Sequence, residues 1–280
     1  HMIRKIVIST GAVTTLAGST SSGSTNATGT SARFNGPAGI AIGGSNLYVA
    51  DTSNHMIRKI VIATGAVTTI AGSTSYGSTN GTGTSAKFKY PHGITSDGTN
   101  LYVTDSSNHT IRKIVISTGA VTTLAGSVGS TGSTNATGTA ARFSSPDGIV
   151  TDGTNLYVTD RSNHTIRKIV LSTGAVTTIA GSAGSTGSTN ATGTAARFKY
   201  PRGITIDGTN LYVSDTDNHM IRKIDLTGTV TADVAMHNLD DDTDVTVSIA
   251  SSDTGEGTVS PATITFTEAN WNTDRTVTVT

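Results

Sequence analysis

Residues 46–60 read Asn-Leu-Tyr-Val-Ala-Asp-Thr-Ser-Asn-His-Met-Ile-Arg-Lys-Ile, and nearly the same residues return at 100–114, 155–169 and 210–224. The second half of this stretch also opens the chain, at residues 1–6. Its histidine marks a period of 54 or 55 residues, at His1, His55, His109, His164 and His219. A constant period of this length is typical of repeat architectures, in which each copy is one small supersecondary unit.

Every unit contains four short runs rich in Val, Ile, Thr and Tyr, a composition typical of strands. We label them strands a to d; in the first complete unit they cover residues 39–42, 47–50, 57–62 and 67–70. Gly-Gly or Asp-Gly joins a to b, and these pairs supply the positive φ that tight hairpins need. In the turn from b to c, we expect Asp51 to accept hydrogen bonds from the amides after it and Asn54 to be left-handed. No segment shows the period of an amphipathic helix.

A long loop rich in Ser, Thr, Gly and Asn precedes strand a of each unit, at residues 18–36, 72–90, 126–145 and 181–200. Loops of this length are uncommon in compact domains. Each one carries a phenylalanine near its end, and three residues later comes a proline that precedes strand a, where a missing amide costs little. Because the chain has few large apolar side chains, we expect the phenylalanines to be buried and to fasten the loops: Phe34, Phe88, Phe143 and Phe198.

The recurring pattern is Phe-x-x-Pro-x-Gly-Ile, then Asn-Leu-Tyr-Val-x-Asp-x-x-Asn-His-x-Ile-Arg-Lys-Ile, then Thr-Gly-x-Val-Thr-Thr-x-Ala-Gly. It resembles the NHL repeat over residues 1–224. The resemblance implies an all-β fold, a β-propeller in which each repeat forms one four-stranded blade. We therefore expect four blades, plus a half blade at the N-terminus. The family includes RNA-binding, protein-binding, lyase-like and structural members, so the fold does not settle the function.

Residues 225–280 differ in charge from the repeats. Residues 1–224 contain 18 Lys and Arg against nine Asp and Glu, a net charge of +9, whereas residues 225–280 contain one against ten, a net charge of −9. This shift predicts a domain boundary near Asp225. The run at 257–273 resembles the Calx-β or immunoglobulin-like repeats of large bacterial surface proteins. Two interpretations remain open: a truncated β-sandwich domain with Trp271 in its core, or strands that close the propeller ring.

The positive charge of the repeats comes mainly from Arg-Lys pairs in strand c, such as Arg58-Lys59 and Arg112-Lys113. Neighbouring side chains of a strand point to opposite faces, so a pair cannot form one basic patch. We interpret the pairs as solubilising and protecting an outer strand. Aromatic residues are not interleaved with them, so we expect no nucleic-acid binding. No apolar run is long enough for membrane insertion, and the absence of cysteine excludes disulfides and thiolate metal sites.

Three sets of polar residues are candidates for chemistry. The acidic cluster Asp240, Asp241, Asp242 and Asp244 is either a solvated turn or a calcium site, because hard oxygen ligands close together suit Ca²⁺. Calcium there is the one cofactor that we consider. The repeated histidines of the b–c turns should lie too far apart to share a metal, and the repeated aspartates, such as Asp51, are better explained by capping than by catalysis. No catalytic motif is present, and we predict no catalytic residue.

The repeats disagree at a few positions, which we expect to lie on one face around the mouth of a central channel. The residue between the proline and the glycine of strand a is alanine in the first unit and His92, Asp147 and Arg202 in the others. Tyr90 and Tyr200 precede the proline in two units, and Arg161 replaces Ser or Thr in one b–c turn. Variable loops on a constant scaffold are where binding proteins place specificity. We therefore predict a ligand-facing surface made of Tyr90, His92, Asp147, Arg161, Tyr200 and Arg202.

Two classes of function remain. The first is a non-enzymatic structural or adhesive module, extracellular or at the cell surface, that belongs to a longer bacterial chain or an assembly and has a protein or a glycan as its ligand. The second is a propeller enzyme of the lyase or lactonase type with a metal near the channel. Catalysis needs different groups that converge on one reacting atom, whereas near-identical blades offer the same groups at every angle. This favours the first class.

Overall fold

The computed structural model describes residues 1–227 and five strands within residues 228–280. By its contacts the chain divides into two units, one of His1–Ile206 with Tyr212–Arg222 and the other of Asp207–Leu211 with Lys223–Thr280. Apart from one-turn 3₁₀ segments, all regular structure in the described residues is β-strand.

The strands of the repeats form one half blade and four further blades. In blade 1, whose strand limits were predicted from the sequence, each strand begins and ends within two residues of those limits. The half blade is β1 (Met2–Ile6) and β2 (Val13–Gly18); blade 1 is β3 (Pro37–Gly43), β4 (Asn46–Asp51), β5 (Met56–Val61) and β6 (Val67–Gly72); blade 2 is β8 (Pro91–Ser96), β9 (Asn100–Asp105), β10 (Thr110–Val115) and β11 (Ala120–Ala125), with a short β7 (Gly81–Thr82) added; blade 3 is β12 (Pro146–Thr151), β13 (Asn155–Asp160), β14 (Thr165–Val170) and β15 (Val176–Ala180); blade 4 is β16 (Pro201–Ile206), β17 (Asn210–Asp215) and β18 (Met220–Asp225).

Within a blade the strands are antiparallel and follow the order of the chain, so each blade is a meander. In blade 1, Leu47 of β4 lies opposite Ile60 of β5, and Lys59 of β5 lies opposite Thr68 of β6. A bulge between Ile57 and Arg58 shifts the register of β5 against β6, and the same bulge recurs in blades 2 and 3. Bulges of this kind increase the local twist of a sheet.

The inner strands pack side by side in the order β3, β8, β12 and β16, which is the arrangement of a propeller. Glycine makes this packing close: a Cβ added to Gly39 would collide with the carbonyl oxygen of His92, and one added to Gly93 would collide with that of Asp147. The predicted fold class, an all-β propeller, is confirmed.

The hydrophobic core lies between successive blades. Tyr48 and Ala50 of blade 1 belong to the same buried cluster as Phe88 and Ile94 of blade 2. All four loop phenylalanines are buried, with 0–1% of their surface exposed, as predicted: Phe34, Phe88, Phe143 and Phe198. Their burial explains how long polar loops stay ordered, because each is fastened to the core near its end.

Two expectations about the b–c turn are wrong. The left-handed residue is the histidine, with His55 at φ 59°, because a one-turn 3₁₀ segment over Thr52–Asn54 places the positive φ after the asparagine. Asp51 caps no amide of its own turn; its carboxylate accepts a hydrogen bond from the backbone N–H of Asn35, in the loop before strand a, over 2.7 Å.

The interpretation of the Arg-Lys pairs is wrong for the arginines. Arg58, Arg112 and Arg167 are completely buried, whereas the lysine that follows each of them is partly exposed. As predicted, the Arg and Lys side chains of strand c point to opposite faces of the sheet. The inward face nevertheless carries a charge, because Asp51 at the end of strand b forms a 2.8 Å ion pair with Arg58.

The strands described within residues 228–280 are β19 (Ala232–Val234), β20 (Val245–Ser248), β21 (Val259–Ser260), β22 (Thr263–Phe266) and β23 (Arg275–Val279). They pair in the orders β19-β23-β21 and β20-β22. The acidic cluster at 240–244, with its proposed calcium site, and Trp271 lie outside the described residues. The division into domains at 224/225, and the choice between a sandwich and ring-closing strands, stay predictions.

Candidate functional site

The four inner strands line one cavity of about 490 Å³. At the start of each strand, the residue between proline and glycine lines this cavity: Ala38, His92, Asp147 and Arg202. The four variable positions of strand a, one from each of four consecutive blades, thus line the same cavity. We call His92, Asp147 and Arg202 the channel set.

Two members of the channel set contact each other. His92 Nδ1 lies 2.8 Å from Asp147 Oδ1; the His92 side chain is 38% exposed and that of Asp147 is 10% exposed. A carboxylate that holds one ring nitrogen of a histidine fixes the orientation of the imidazole and leaves the other nitrogen for a ligand. Arg202 is exposed, and its side chain has no hydrogen bond or ion pair among the described residues.

The repeated histidines each join one blade to the next. His55 Nδ1 accepts a hydrogen bond from the backbone N–H of Tyr90 over 3.2 Å, and His164 Nδ1 accepts one from Tyr200 over 3.1 Å. His109 does the same with Ser145 over 3.0 Å. The residues that donate are themselves left-handed, with φ near 50°, a conformation uncommon for side chains other than glycine. The histidines are structural, as predicted, and burial lowers the pKa of His55, His109 and His164.

Tyrosine is distributed unevenly between fold and surface. Four of the seven tyrosines occupy the same place in strand b: Tyr48, Tyr102, Tyr157 and Tyr212. The other three all lie against a blade-joining histidine. The rings of Tyr90 and Tyr76 contact His55 edge-on, with centroids 4.6 and 5.7 Å away, and Tyr200 contacts His164 at 4.6 Å. Tyr76 is 66% exposed and Tyr90 is 46% exposed.

A cation lies over two of these three rings. The guanidinium of Arg161 is 5.6 Å from the ring centroid of Tyr200, and the ammonium of Lys89 is 5.6 Å from that of Tyr76. Both distances are within the range of a cation–π contact. We call Tyr76, Lys89, Tyr90, Arg161 and Tyr200 the rim set. The sequence had predicted Tyr90, Arg161 and Tyr200.

Tyr76 and Lys89 were missed by the sequence-based prediction, although the sequence held a signal for Tyr76. It stands where blade 1 has Ser22, so it is a deviation between repeats of the same kind as Tyr90. The six predicted residues thus fall into two sets, of which the channel set lies on strand a and the rim set surrounds the joining histidines.

The described residues contain neither a cluster of metal ligands nor a membrane-spanning helix. Within the described ranges, no group of three or more His, Cys, Asp or Glu side chains is placed to hold a metal ion. No helix of the described residues has the length and apolar character needed to cross a bilayer.

Comparisons with known proteins find the same type of repeat in this chain. The family model described as the NHL repeat matches residues 88–114, which run from Phe88 of the second loop to Ile114 in β10. NHL repeat-containing protein 2 of Homo sapiens is 32% identical over 163 residues, covering 53% of this chain and 22% of the relative. The chain spans 39% of the length of the Bos taurus protein of the same name. It is therefore similar to a minor part of these relatives.

Solved structures agree with the fold. A protein of unknown function from Bacteroides thetaiotaomicron superposes with a TM-score of 0.59 and 23% identity, over 77% of this chain and 51% of that one. An auxiliary nutrient binding protein from Bacteroides ovatus gives the same TM-score and identity, over 79% of this chain and 57% of that one. At this level of identity the likeness concerns the architecture alone.

Proposed function

We propose that this β-propeller, which carries NHL repeats, is a non-enzymatic binding module whose ligand lies on the rim set and the channel set. We further propose that it acts outside the cell, as a structural or adhesive part of a larger bacterial surface protein, with a protein or a glycan as its ligand. One observation carries the proposal: each of the three tyrosines outside strand b lies against a histidine that joins two blades, Tyr76 and Tyr90 against His55 and Tyr200 against His164.

Tyrosine suits such a surface because its ring is apolar, its hydroxyl is polar, and its side chain loses little entropy on binding. Lys89 and Arg161 add positive charge beside the rings. The channel set differs from blade to blade, whereas the strands that support it are nearly identical. A surface that varies on a repeated scaffold supports binding rather than framework stability.

The other repeats supply substitutions that the fold already accepts. Blade 1 has Ser22 at the position of Tyr76, blade 3 has Ser145 at that of Tyr90 and Tyr200, and blade 1 has Ala38 at that of the channel set. The rim variant is therefore Tyr76→Ser, Tyr90→Ser and Tyr200→Ser, and the channel variant is His92→Ala, Asp147→Ala and Arg202→Ala. A control variant replaces Lys59, Lys113 and Lys168 of strand c by alanine.

The test is binding of the immobilised chain to a panel of purified polysaccharides and extracellular matrix proteins, followed by titration of each panel member that binds. We expect the rim variant to weaken that binding by about tenfold or more, the effect of losing about 1.4 kcal/mol. The control variant should bind as the unmodified chain does. Binding that both the rim and the channel variants leave unchanged would contradict the proposal.

The alternative, a propeller enzyme of the lyase or lactonase type with a metal near the channel, is supported by one observation. The His92–Asp147 pair has the arrangement of a histidine that a carboxylate orients for proton transfer. We place it second because a single oriented histidine lacks the further groups that a catalytic site brings together. Elemental analysis of the purified chain, repeated on the His92→Ala variant, tests it: stoichiometric metal lost in the variant would favour the enzyme.

A further inference from the structure

The a–b turn of blade 1 differs chemically from those of blades 2 and 3. Asp97 and Asp152 begin this turn in blades 2 and 3, whereas Gly43 stands at the same repeat position in blade 1. Blade 1 therefore lacks a carboxylate that its two neighbours along the chain have. The side chains that bind this carboxylate in blades 2 and 3 are nevertheless present in blade 1.

In blade 2, one oxygen of the carboxylate accepts two side-chain hydrogen bonds. Tyr102 Oη donates to Asp97 Oδ2 over 2.8 Å, and Asn100 Nδ2 donates to the same oxygen over 3.0 Å. The same two bonds recur in blade 3, over 3.0 and 2.9 Å. A tyrosine and an asparagine of strand b thus converge on one carboxylate oxygen, and hydrogen bonds to an ionised acceptor are stronger than those between neutral groups.

Blade 1 keeps both donors without this acceptor. Asn46 and Tyr48 stand at the repeat positions of Asn100 and Tyr102. Within the described part of the chain, neither the side-chain amide of Asn46 nor the hydroxyl of Tyr48 makes a hydrogen bond. Burial raises the pKa of Tyr48, so its hydroxyl keeps its proton at neutral pH and remains a donor. A buried donor that has no partner costs free energy, which a ligand with a suitable acceptor would recover.

Both donors line a groove between the outer strands of blade 1 and the c–d turn of blade 2. We call this groove of about 370 Å³ the outer groove; its lining is Asn46, Tyr48, Lys59, residues 68–70 and residues 116–119. Its two walls are in close contact, since a Cβ added to Gly119 would lie 3.1 Å from the carbonyl oxygen of Ile70. The carbonyl of Gly119 also accepts a hydrogen bond from the amide of Gly83 over 3.0 Å. The backbone therefore forms the outer groove in advance, which reduces the cost of binding.

The Tyr48 hydroxyl opens on the outer groove although the residue is buried. Tyr48 as a whole is 1% exposed. Its hydroxyl oxygen is not one of the fully enclosed polar atoms that lack a partner in the described residues, so solvent reaches this oxygen. The tyrosine ring thus belongs to the core, whereas its hydroxyl is available to a ligand.

The charge of the outer groove favours an anion. Of the residues that line it, Lys59 alone is charged. Lys59 lies directly opposite Tyr48 in the sheet, so the two side chains share a face. The side chain of Lys59 forms no ion pair or hydrogen bond within the described ranges. Its ammonium group is therefore free to neutralise a ligand.

We propose that the outer groove binds a small organic acid, whose carboxylate is the acceptor that Asp97 and Asp152 provide in blades 2 and 3. Asn46 Nδ2 and Tyr48 Oη donate to the carboxylate, and Lys59 supplies the opposite charge. The groove is also lined by hydroxyl side chains, among them Thr68 and Ser117, which suit an acid that itself carries hydroxyl groups, such as a sugar acid. Its volume of about 370 Å³ lies in the range of small-molecule sites.

The outer groove is separate from the ligand surface proposed above. In each meander the a–b and c–d turns lie at one edge of the blade, and the b–c turns and the loops between blades lie at the other. The outer groove adjoins the first edge, whereas the rim set and the channel set lie at the second. The two proposals therefore fail independently. Lys59→Ala, which belongs to the control for the rim ligand, should leave that ligand bound and weaken binding of the acid.

Titration of the isotope-labelled chain with D-glucuronate, followed by NMR, tests the proposal. D-glucose is the comparison ligand, because it has the same ring and hydroxyl groups but no carboxylate. We expect glucuronate to shift the amide signals of Asn46 and Tyr48 in a saturable way, and glucose to bind at least about tenfold more weakly. Signals of the rim set should not move.

Tyr48→Phe removes one donor and leaves the ring in the core. Because the hydroxyl has no partner in the chain, the melting temperature should equal that of the unmodified chain. The dissociation constant of glucuronate should rise by about tenfold or more. Tyr102→Phe, the same change in blade 2, is the matched control and should leave glucuronate binding unchanged, since the Tyr102 hydroxyl is bonded to Asp97.

Gly43→Asp gives blade 1 the carboxylate of the other blades. A Cβ at this position would lie 2.9 Å from Tyr48 Cε2, so the ring has to shift toward the arrangement that blades 2 and 3 already adopt. The new carboxylate should then take both donors, Asn46 and Tyr48, and abolish glucuronate binding. If Gly43→Asp does not fold, Tyr48→Phe decides alone. No binding of glucuronate at millimolar concentrations, equal binding of glucose, or glucuronate binding that Tyr48→Phe leaves unchanged overturns the proposal.

Discussion

Arg58, Arg112 and Arg167 are among the largest completely buried side chains of the described residues. Each holds three segments together. Arg112 donates to Asp105 over 2.9 Å, to the carbonyl of Lys87 over 3.0 Å and to Asn80 Oδ1 over 2.8 Å, and its guanidinium lies 5.1 Å from the ring centroid of Phe88. The long polar loop is thus fixed to strand c and to the b–c turn by one side chain.

The same contacts hold the aspartate that pairs with each arginine, such as Asp105 beside Arg112. Burial raises the pKa of Asp105 and of Asp160 to about 6, while their arginine partners and their hydrogen bonds act in the opposite direction. One oxygen of each carboxylate lies 2.8–2.9 Å from a guanidinium nitrogen, so each Asp–Arg contact is an ion pair. A buried pair contributes little over an apolar pair of equal volume, but breaking it leaves one charge uncompensated.

Replacing Arg112 by methionine should therefore destabilise the chain strongly. The change leaves Asp105 buried without its cation, and we expect the free energy of unfolding to fall by about 3–5 kcal/mol. Lys113→Met, one residue further along the same strand and partly exposed, should change it by about 0.5 kcal/mol or less. Urea unfolding of both variants checks this, and equal losses would contradict the assignment of Arg112 to the core.

The joining histidines predict a dependence of stability on pH. Each Nδ1 accepts a hydrogen bond, so protonation breaks the link between two blades, and burial lowers the pKa of His109 below its ordinary 6.5. The unfolded chain then binds more protons than the folded chain, and this contribution to stability falls as the pH drops below 6.5.

His109→Asn isolates that effect, because asparagine tolerates the left-handed conformation but does not titrate. The difference in the free energy of unfolding between the unmodified chain and this variant should be constant above about pH 7.5 and should shrink as the pH falls below 6.5. Carboxylates such as Asp105 titrate in both proteins and cancel in the difference. A difference that stays constant over this range would show that His109 keeps its hydrogen bond without a change in protonation.

At the scale of the strand, the inner-strand glycines set how closely blades pack. Gly93→Ala should destabilise the chain by several kcal/mol or prevent folding, since its Cβ would collide with the carbonyl of Asp147. Among the described residues, a Cβ on Gly203 would approach only the Ser214 side chain, with its hydroxyl oxygen at 3.0 Å, so Gly203→Ala should cost about 1 kcal/mol or less. Thermal unfolding compares the two; similar losses would contradict the close approach at Gly93.

The strands themselves could be predicted from the sequence, because short β-branched runs between Gly and Asp turns recur at one period. The role of strand c could not be predicted in this way. The alternation Ile57-Arg58-Lys59 places Arg and Lys on opposite faces, but nothing local tells which face meets an aspartate from strand b. The burial of Arg58 is decided by a partner seven residues away and by a loop more than thirty residues away.

The same limit applies to the candidate site. Variation between repeats pointed to His92, Asp147 and Arg202, and the inner strands bring all three to one cavity. Variation between repeats could not show that His92 and Asp147 contact each other while Arg202 contacts neither. Such contacts depend on the directions of side chains on neighbouring blades. The predicted site did not include Tyr76, because this tyrosine lies within a loop that is otherwise rich in Ser and Gly.

At the scale of the molecule, the repeats make the described junctions between blades alike. In each junction a strand a glycine (Gly39, Gly93 or Gly148) admits the backbone of the next inner strand, and a histidine of the b–c turn (His55, His109 or His164) accepts a hydrogen bond from the loop before the next blade. Because this framework is constant from blade to blade, we expect binding specificity to depend on the residues that differ, such as those of the channel set.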